Sequence, residues 1–577
     1  MRQSVRSNAL PVLVLILACL WSCFLCWLLT RSPLDDAYIF FRYAENFLQG
    51  RGFVYNHGDA VEGYSSFLWL VLLTVGATFP FRVDLVAQSL SVFCYLATIV
   101  LLWRICLGLG AQGVSRFLPL LFLCSAPANA LWAGMALETA LFGFCLLALA
   151  YTYVVFDRSP WQRAFVGLVG CCVGLCRPEG IAFYLCLLLF DVLWELMSKR
   201  KISLPRLLQL SSGLPIFLFY LVSRYQLYGF LLPNTYYAKV GFTLRVWSNG
   251  TNYLLYYLQN HIVAWPLLVA VAAYGAMYRR DKLWWITWSL LLVYGLLLVQ
   301  SGGNNWPFWR YAVPATPLLS LLMGQFLSAG CQVDGLSNLW RRLVSVTVAF
   351  WILAICYTSV SGVFGSAAVR PLVVGNYDFH LYAKLFGRTF RALLTEQQSI
   401  ALNPIPFVGY YYGGYTYDML GLTDKVVAHR VVPMGQRVHS HEKGNGDYIF
   451  AMRPTVIRLG GGLSLREAQN AEFSRSNVHF LGDIELLNRP DFTTFYRLAH
   501  VYIPAARRYL QFYLLRSQKL RQVSEESLDH IYKETVATRE MSPRDTALDK
   551  ALRSIEYCES FKAAQLVSIL RRRFSPQ

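Results

Sequence analysis

The chain has 577 residues, 56% of them hydrophobic and only 15% charged, with 16 Trp and 37 Phe; this balance excludes an ordinary soluble globule and indicates a polytopic membrane protein. Its formal net charge of +19 does not point to nucleic acid, because no basic run accompanies a nucleic-acid motif. Lys and Arg on cytoplasmic loops and beside anionic lipid heads account for the excess.

At the N-terminus, Arg2 and Arg6 precede an apolar run from Leu10 to Leu29. The pattern is that of a signal sequence, but it lacks a small-x-small cleavage site, so an uncleaved first helix is expected. Cys23 and Cys26 form a C-x-x-C in mid-helix with no His or further Cys pair nearby, which suits membrane packing rather than zinc or redox chemistry. Thirteen of the 14 cysteines precede residue 360, and no disulfide framework is implied.

The next stretch, DDAYIFFRYAENFLQGRGFVYNHGDAVEGY (35–64), opens on the adjacent carboxylates Asp35 and Asp36. Charge beside hydrocarbon is costly, so the pair is a candidate functional site; the alternative is that it caps the helix that follows. In that helix Tyr38, Phe41, Tyr43, Phe47 and Leu48 alternate with Arg42, Glu45 and Gln49, which predicts an amphipathic helix lying flat on the membrane. Turn-forming glycines then bring Glu62 back toward the surface.

Apolar runs long enough to span lie near 10–29, 84–103, 116–133, 136–156, 161–176, 179–197, 207–228, 257–278, 283–300, 311–329 and 342–360. The basic clusters between them share the side of Arg2 and Arg6 only if 65–79 lies in the interface instead of crossing. Eleven crossings follow, with the N-terminus inside and the last third outside. Every outer loop then carries chemistry-bearing residues: Asp35, Asp36 and Glu62; Glu138, which dipole capping would also explain; Arg177 and Glu179; Asn234, Tyr237 and Lys239; and Asn304, Asn305, Trp306 and Arg310. The Arg177-Pro-Glu-Gly turn suits a phosphate, because a guanidinium offers paired donors and a helix N-terminus adds free N–H groups; lipid snorkelling is the alternative. Amides and aromatic faces of the 232–239 and 301–311 loops suit a sugar.

After Val360 hydropathy falls. Residues 361–500 mix short β-rich runs, such as those at Pro406 and Asp447, with glycine turns, predicting a small α/β or α+β domain. Residues 505–575 lack Gly and predict two or three helices broken at Pro543. His439 and His441, two apart, point oppositely on a strand and have no third ligand, so a surface or acceptor-binding role is expected and no metal site.

Together DDAYIFFRYAENFLQGRGFVYNHGDAVEGYSSFLW, ALET, RPEG, LPNTYYAK, SGGNNW, DMLGLTD (418–424) and HEKGNGDY (441–448) resemble the multi-spanning GT-C glycosyltransferases of the arabinofuranosyltransferase B type, a group that includes the pilin arabinosyltransferase TfpW. The resemblance covers roughly 30–460. It implies an α-helical GT-C membrane domain over 1–360, an extracytoplasmic α/β domain over 361–577, and a place in the bacterial cytoplasmic membrane with the active face on the periplasmic side. The implied donor is a polyprenyl-phosphate-linked D-arabinofuranose, and the implied acceptor a pilin or an envelope polysaccharide hydroxyl. No cofactor is required, although a divalent cation bridging Asp and phosphate is compatible with the site. Asp35 or Asp36 takes the catalytic role; Arg177, Lys239 and Arg310 take the donor phosphate; Tyr38, Glu62, Glu138, Glu179, Asn234, Tyr237, Asn304, Asn305, Trp306 and His441 take sugar or acceptor. Where the family carries an acid after the loop's two glycines, this chain has Asn304 and Asn305. Rival readings are a transferase for lipid-phosphate mannose, glucose or aminoarabinose, and a lipid-linked sugar flippase, which places its polar groups near the bilayer midplane.

Overall fold

The computed structural model describes residues 2–109, 117–241, 243–260, 281–304, 306, 308–330, 350, 353–354, 376–403, 405–437, 440–460, 465–466 and 478–536. The expected runs at 257–278 and 342–360 lie almost wholly outside the described residues, as do Asn305 and His439.

Fifteen described helices precede residue 331: α1 Arg2–Leu29, α2 Ala37–Leu48, α3 Phe67–Gly76, α4 Val83–Gly108, α5 Leu118–Ser125, α6 Pro127–Gly134, α7 Thr139–Val155, α8 Pro160–Cys176, α9 Gly180–Lys199, α10 Leu204–Leu210, α11 Gly213–Tyr228, α12 Asn234–Lys239, α13 Leu244–Asn260, α14 Lys282–Gln300 and α15 Thr316–Gly330. By length and composition four of these are able to cross a membrane, or up to six if each bent pair is one span. The run at 116–133 is not one continuous helix, because Ala126 is extended (ψ 99°) ahead of Pro127, whose ring disfavours helical geometry in the residue before it. Between α6 and α7 the chain turns by 118°, with Ala136 at φ 61°. Residues 65–79 form the ten-residue α3, with Ser66 accepting a capping bond from Trp69.

In the C-terminal part a five-stranded sheet has the order β2-β1-β3-β5-β4. Strands β1 (Ile400–Leu402), β2 (Thr416–Asp418) and β3 (Val456–Arg458) are parallel, and the β4–β5 hairpin (Tyr496–Ile503, Arg508–Leu515) joins antiparallel. Helices α16 (Asn376–Leu393) and α17 (Ile405–Tyr412) pack beside it. Two expected β-rich runs are helices instead. Pro406 sits in the first turn of α17, where its missing N–H is harmless, and Asn445 caps the helix Gly446–Met452 through Tyr448 N. Conversely, the expected helices after 505 begin with β5, whose aromatic and aliphatic residues pair with β4 over eight positions. A helix follows at Glu525–Val536.

One hydrophobic core runs from α1 through α2 to β1 and β3. Helix α2 is therefore no flat surface helix: nine of its twelve residues are buried, including Arg42. Packing against α3 on one side and α17 on the other explains the difference, because polar residues on a helix can face protein groups as readily as water. Arg42 donates to the carbonyls of Tyr55 (2.7 Å) and Gly414 (2.7 Å) and to that of Gly409. Asn56 exchanges bonds with the backbone of Thr416 at 2.9 and 3.0 Å, extending the edge of β2. Asn376 on α16 holds Ser32 and the Pro33 carbonyl, each at 3.0 Å. Replacing Arg42 by Met removes three charge-assisted hydrogen bonds, although Asn46, Gly413 and Thr416 still donate to the same carbonyls, so thermal unfolding in detergent should report a loss of about 3 kcal/mol. A wild-type melting profile would show that α2 is not held this way.

Candidate functional site

Helix α2 begins at the mouth of an open cavity of about 300 Å³. Asp36, Ile39 and Phe40 form one wall, and the α7 start, the α8–α9 turn, the α11–α12 segment and the end of α14 supply the others. Its charged lining is balanced: Asp36, Glu138 and Glu179 against Arg177, Lys239 and Arg310. The rest mixes apolar surface, such as Phe142, Phe183, Leu297 and Leu298, with hydroxyl groups of Tyr236, Tyr294 and Tyr311.

These charges are sorted into pairs with one left over. Arg310 Nη1 donates to Asp36 Oδ2 at 2.8 Å, while its guanidinium lies 5.6 Å from the Trp132 ring centroid. Arg310 Nε has no partner among the described residues. Arg177 contacts Glu138 at 3.4 Å and Glu179 at 2.6 Å and packs over the rings of Phe142 and Tyr311. Lys239, at the end of α12, has no carboxylate partner among the described residues. Of the three cations it is the one whose charge is least committed within the protein.

The loop that delivers Arg310 is tightly constrained. Gly303 has φ +82°, and a Cβ there would fall 2.6 Å from the Tyr253 side chain. Phe308 and Trp309, at φ 59° and 49°, are consecutive non-glycine residues in the left-handed region, a conformation that needs support from its surroundings. Trp132 Nε1 supplies some by donating to the Phe308 carbonyl at 3.1 Å.

The two adjacent aspartates differ. Asp36 lines the cavity. Asp35 does not, and its Oδ1 accepts the Asp36 N–H at 2.8 Å. Neither Asp36 nor Glu138, each at a helix start, makes a side-chain capping bond. Burial opposes charge on Asp36, but Lys239 and Arg310 outweigh it and hold this carboxyl well below the usual carboxylate range. Burial, then the Asp36 charge, pushes Asp35 up from 3.8 to about 7.

Several other residues singled out in the sequence lie off the cavity lining. Tyr38 is buried on the opposite face of α2, 3.0 Å from His380 Nε2. Glu62 pairs with Arg224 at 2.9 Å and accepts from Tyr220 at 3.3 Å. Asn234 is a clamp: its backbone N–H donates to the Glu62 carbonyl at 2.9 Å, and its side chain to the carbonyls of Gly421 (2.7 Å) and Leu422 (3.1 Å). Tyr237 lies 4.2 Å from the His429 ring, leaving Thr235 and Tyr236 to face the cavity. Asn304 accepts from Trp306 N at 2.6 Å, and Trp306 packs against the hydrophobic core. His441 sits near Phe480 and contributes to lowering Asp36. Sequence reasoning passed over Ser65, Tyr294, Gln300 and Tyr311. For Gln300 a signal was present, a polar side chain closing an apolar run; a lone Tyr inside such a run, as Tyr294 is, gives none.

No family model matches the chain. Its fold is similar to that of ArnT from Cupriavidus metallidurans: the structure bound to undecaprenyl phosphate and the apo structure each align with a TM-score of 0.50 over 73% of this chain and 89% of that one, at 14% and 16% identity. In sequence, 263 residues, 41% of the chain, are 30% identical to the terminal β-(1→2)-arabinofuranosyltransferase of Mycobacterium tuberculosis, a match that spans 39% of that enzyme's length.

A carboxyl whose folded-state pKa is raised favours folding while it is protonated. The Asp35 contribution is thus complete below its ordinary 3.8 and lost as pH rises through about 7. Asp35→Asn should therefore flatten the decline of the thermal midpoint between about pH 4 and pH 7. An unchanged slope would place the Asp35 pKa in the ordinary range.

Proposed function

We propose that this chain is a GT-C glycosyltransferase that moves a sugar from a polyprenyl-phosphate donor to an acceptor hydroxyl on the outer side of the cytoplasmic membrane. The observation that carries this reading is the cavity itself: an ionised carboxylate, Asp36, faces the uncommitted cation Lys239 across an apolar and hydroxyl-lined space open to one side. Chemically such a site needs a place for a lipid phosphate, an anion near the anomeric carbon and an orienting wall. Lys239 and the Arg310 guanidinium take the phosphate, while Arg177, held by two carboxylates, positions the sugar side. As the acceptor oxygen bonds to the anomeric carbon, the bond to the phosphate oxygen breaks and its electron pair leaves with the lipid phosphate. With the charges of Lys239 and Arg310 taken up by the donor phosphate, Asp36 is no longer held low; it stabilises the positive charge on the ring and receives the acceptor proton, a contribution worth about 10²–10⁴-fold in rate.

D-arabinofuranose is the proposed sugar. Its support is the 30% identity to an arabinofuranosyltransferase together with the motifs of the first outer loop. Support for the lipid carrier comes from the fold of ArnT, a protein solved with undecaprenyl phosphate. Eleven crossings, a C-terminal domain over 361–577 on the periplasmic side, and a pilin or envelope-polysaccharide acceptor belong to the same proposal. Purified protein in proteoliposomes, given synthetic polyprenyl-phosphate donors, should transfer arabinofuranose and not mannose or aminoarabinose. Flipping of the donor without transfer would end the reading.

A further inference from the structure

Helix α2 is a wall with two sides. Asp36, Ile39 and Phe40 face the cavity already described. Tyr38, Phe41, Glu45 and Leu48, spaced at the helical repeat, line a second open cavity of about 480 Å³ on the other side. Its far wall comes from Lys384 and Arg388 of α16 and from Tyr410 and Tyr411 of α17, and its remaining edge from residues 77–84, which lead into α4.

Three cations meet here, and one of them, Lys384, has no carboxylate in contact among the described residues. Arg82 is engaged by Asp84 at 3.1 Å and Arg388 by Glu534 at 2.9 Å. Glu45 accepts from Tyr410. Lys384 has no carboxylate partner among the described residues, and its ammonium is pushed below its ordinary range by burial, then by Arg388 and Arg82. With Arg82 and Arg388 already paired and Glu45 turned to Tyr410, the Lys384 ammonium beside two further cations is the charge left for an added anion.

The rim has the opposite character. Phe81 and Leu48, which line the cavity, are 68% and 43% exposed, and Phe79 beside them is 58% exposed. Arg82 immediately precedes α4, one of the four helices long and apolar enough to span, so this edge sits where a span leaves the bilayer. A recess that is cationic within and apolar at the lip, at that level, matches an amphiphile whose anionic head enters while its chains stay in the membrane.

We propose that the cavity between α2, α16 and the 77–84 turn binds the phosphate head group of an anionic membrane lipid. The site is separate from sugar transfer and stands whether or not that reading holds. Its occupant buttresses α2 from the side opposite Asp36, and Lys384 and Arg82 carry the contact with phosphate.

Full-length protein reconstituted with phosphatidylcholine and phosphatidylglycerol, then released and weighed by native mass spectrometry, tests it. Phosphatidylglycerol should be retained in preference to phosphatidylcholine. Lys384→Gln and Arg82→Gln should each reduce that retention about fivefold, while Arg497→Gln, an exposed cation on β4, should not. Melting profiles of the two variants check that they fold; neither side chain supports the backbone. Equal retention by the variants would overturn the proposal. So would displacement by inorganic phosphate at the concentration of the lipid, which would assign the recess to a soluble phosphate, or displacement by an uncharged oligosaccharide, which would assign it to a glycan.

Discussion

Two adjacent carboxylates cannot both be charged in a recess of low polarity unless something nearby compensates them. Here the compensation is unequal. Lys239 and Arg310 stabilise Asp36, whereas burial and then its neighbour's charge drive Asp35 up. That asymmetry gives the site an anion at Asp36, and the arrangement of the loops around it serves that anion: the strained 308–310 segment delivers the guanidinium, and α12 delivers the ammonium. Removing one partner of a buried ion pair costs about 3–5 kcal/mol, enough to let the loop bearing Arg310 leave the carboxylate.

The site is also an inter-layer construction. Arg42 helps fix the rotation of helix α2, its guanidinium spanning from the loop after α2 to the backbone of 409–414. Asn234 does the same for the segment carrying Lys239 by bonding the carbonyls of Gly421 and Leu422. The C-terminal layer therefore sets the separation between Asp36 and Lys239, the anion and the free cation, although Leu422 is its one residue in the cavity lining. Glu62, paired with Arg224 and receiving the Asn234 N–H, ties α11 into the same frame.

Much of this was legible in the chain. Charge bias sorted the loops, and polar residues at the ends of apolar runs marked Asp36, Glu138, Arg177, Glu179, Lys239 and Arg310, all of which line the one cavity. What the sequence could not supply was which way a side chain faces once both sides of an element are covered by protein. Tyr38 and Glu62 lie in the same loop as Asp36 yet point to other partners, because α2 is buried on both faces rather than resting on the bilayer. The same limit explains Pro406 and Asp447: short apolar runs carry no distinguishing period, and a proline in the first turn or an Asn cap decides for helix. Nor did the hydropathy of 116–133 reveal the break at Ala126, since only the proline that follows marks it.

Single-turnover transfer by Asp36→Asn protein, with donor binding measured in parallel, bears most directly on the central claim that the Asp36 carboxylate faces the reacting sugar. The substitution keeps shape and removes charge. Transfer should fall by about 10²–10⁴-fold with donor still bound through Lys239 and Arg310. Transfer near the wild-type rate would contradict the claim.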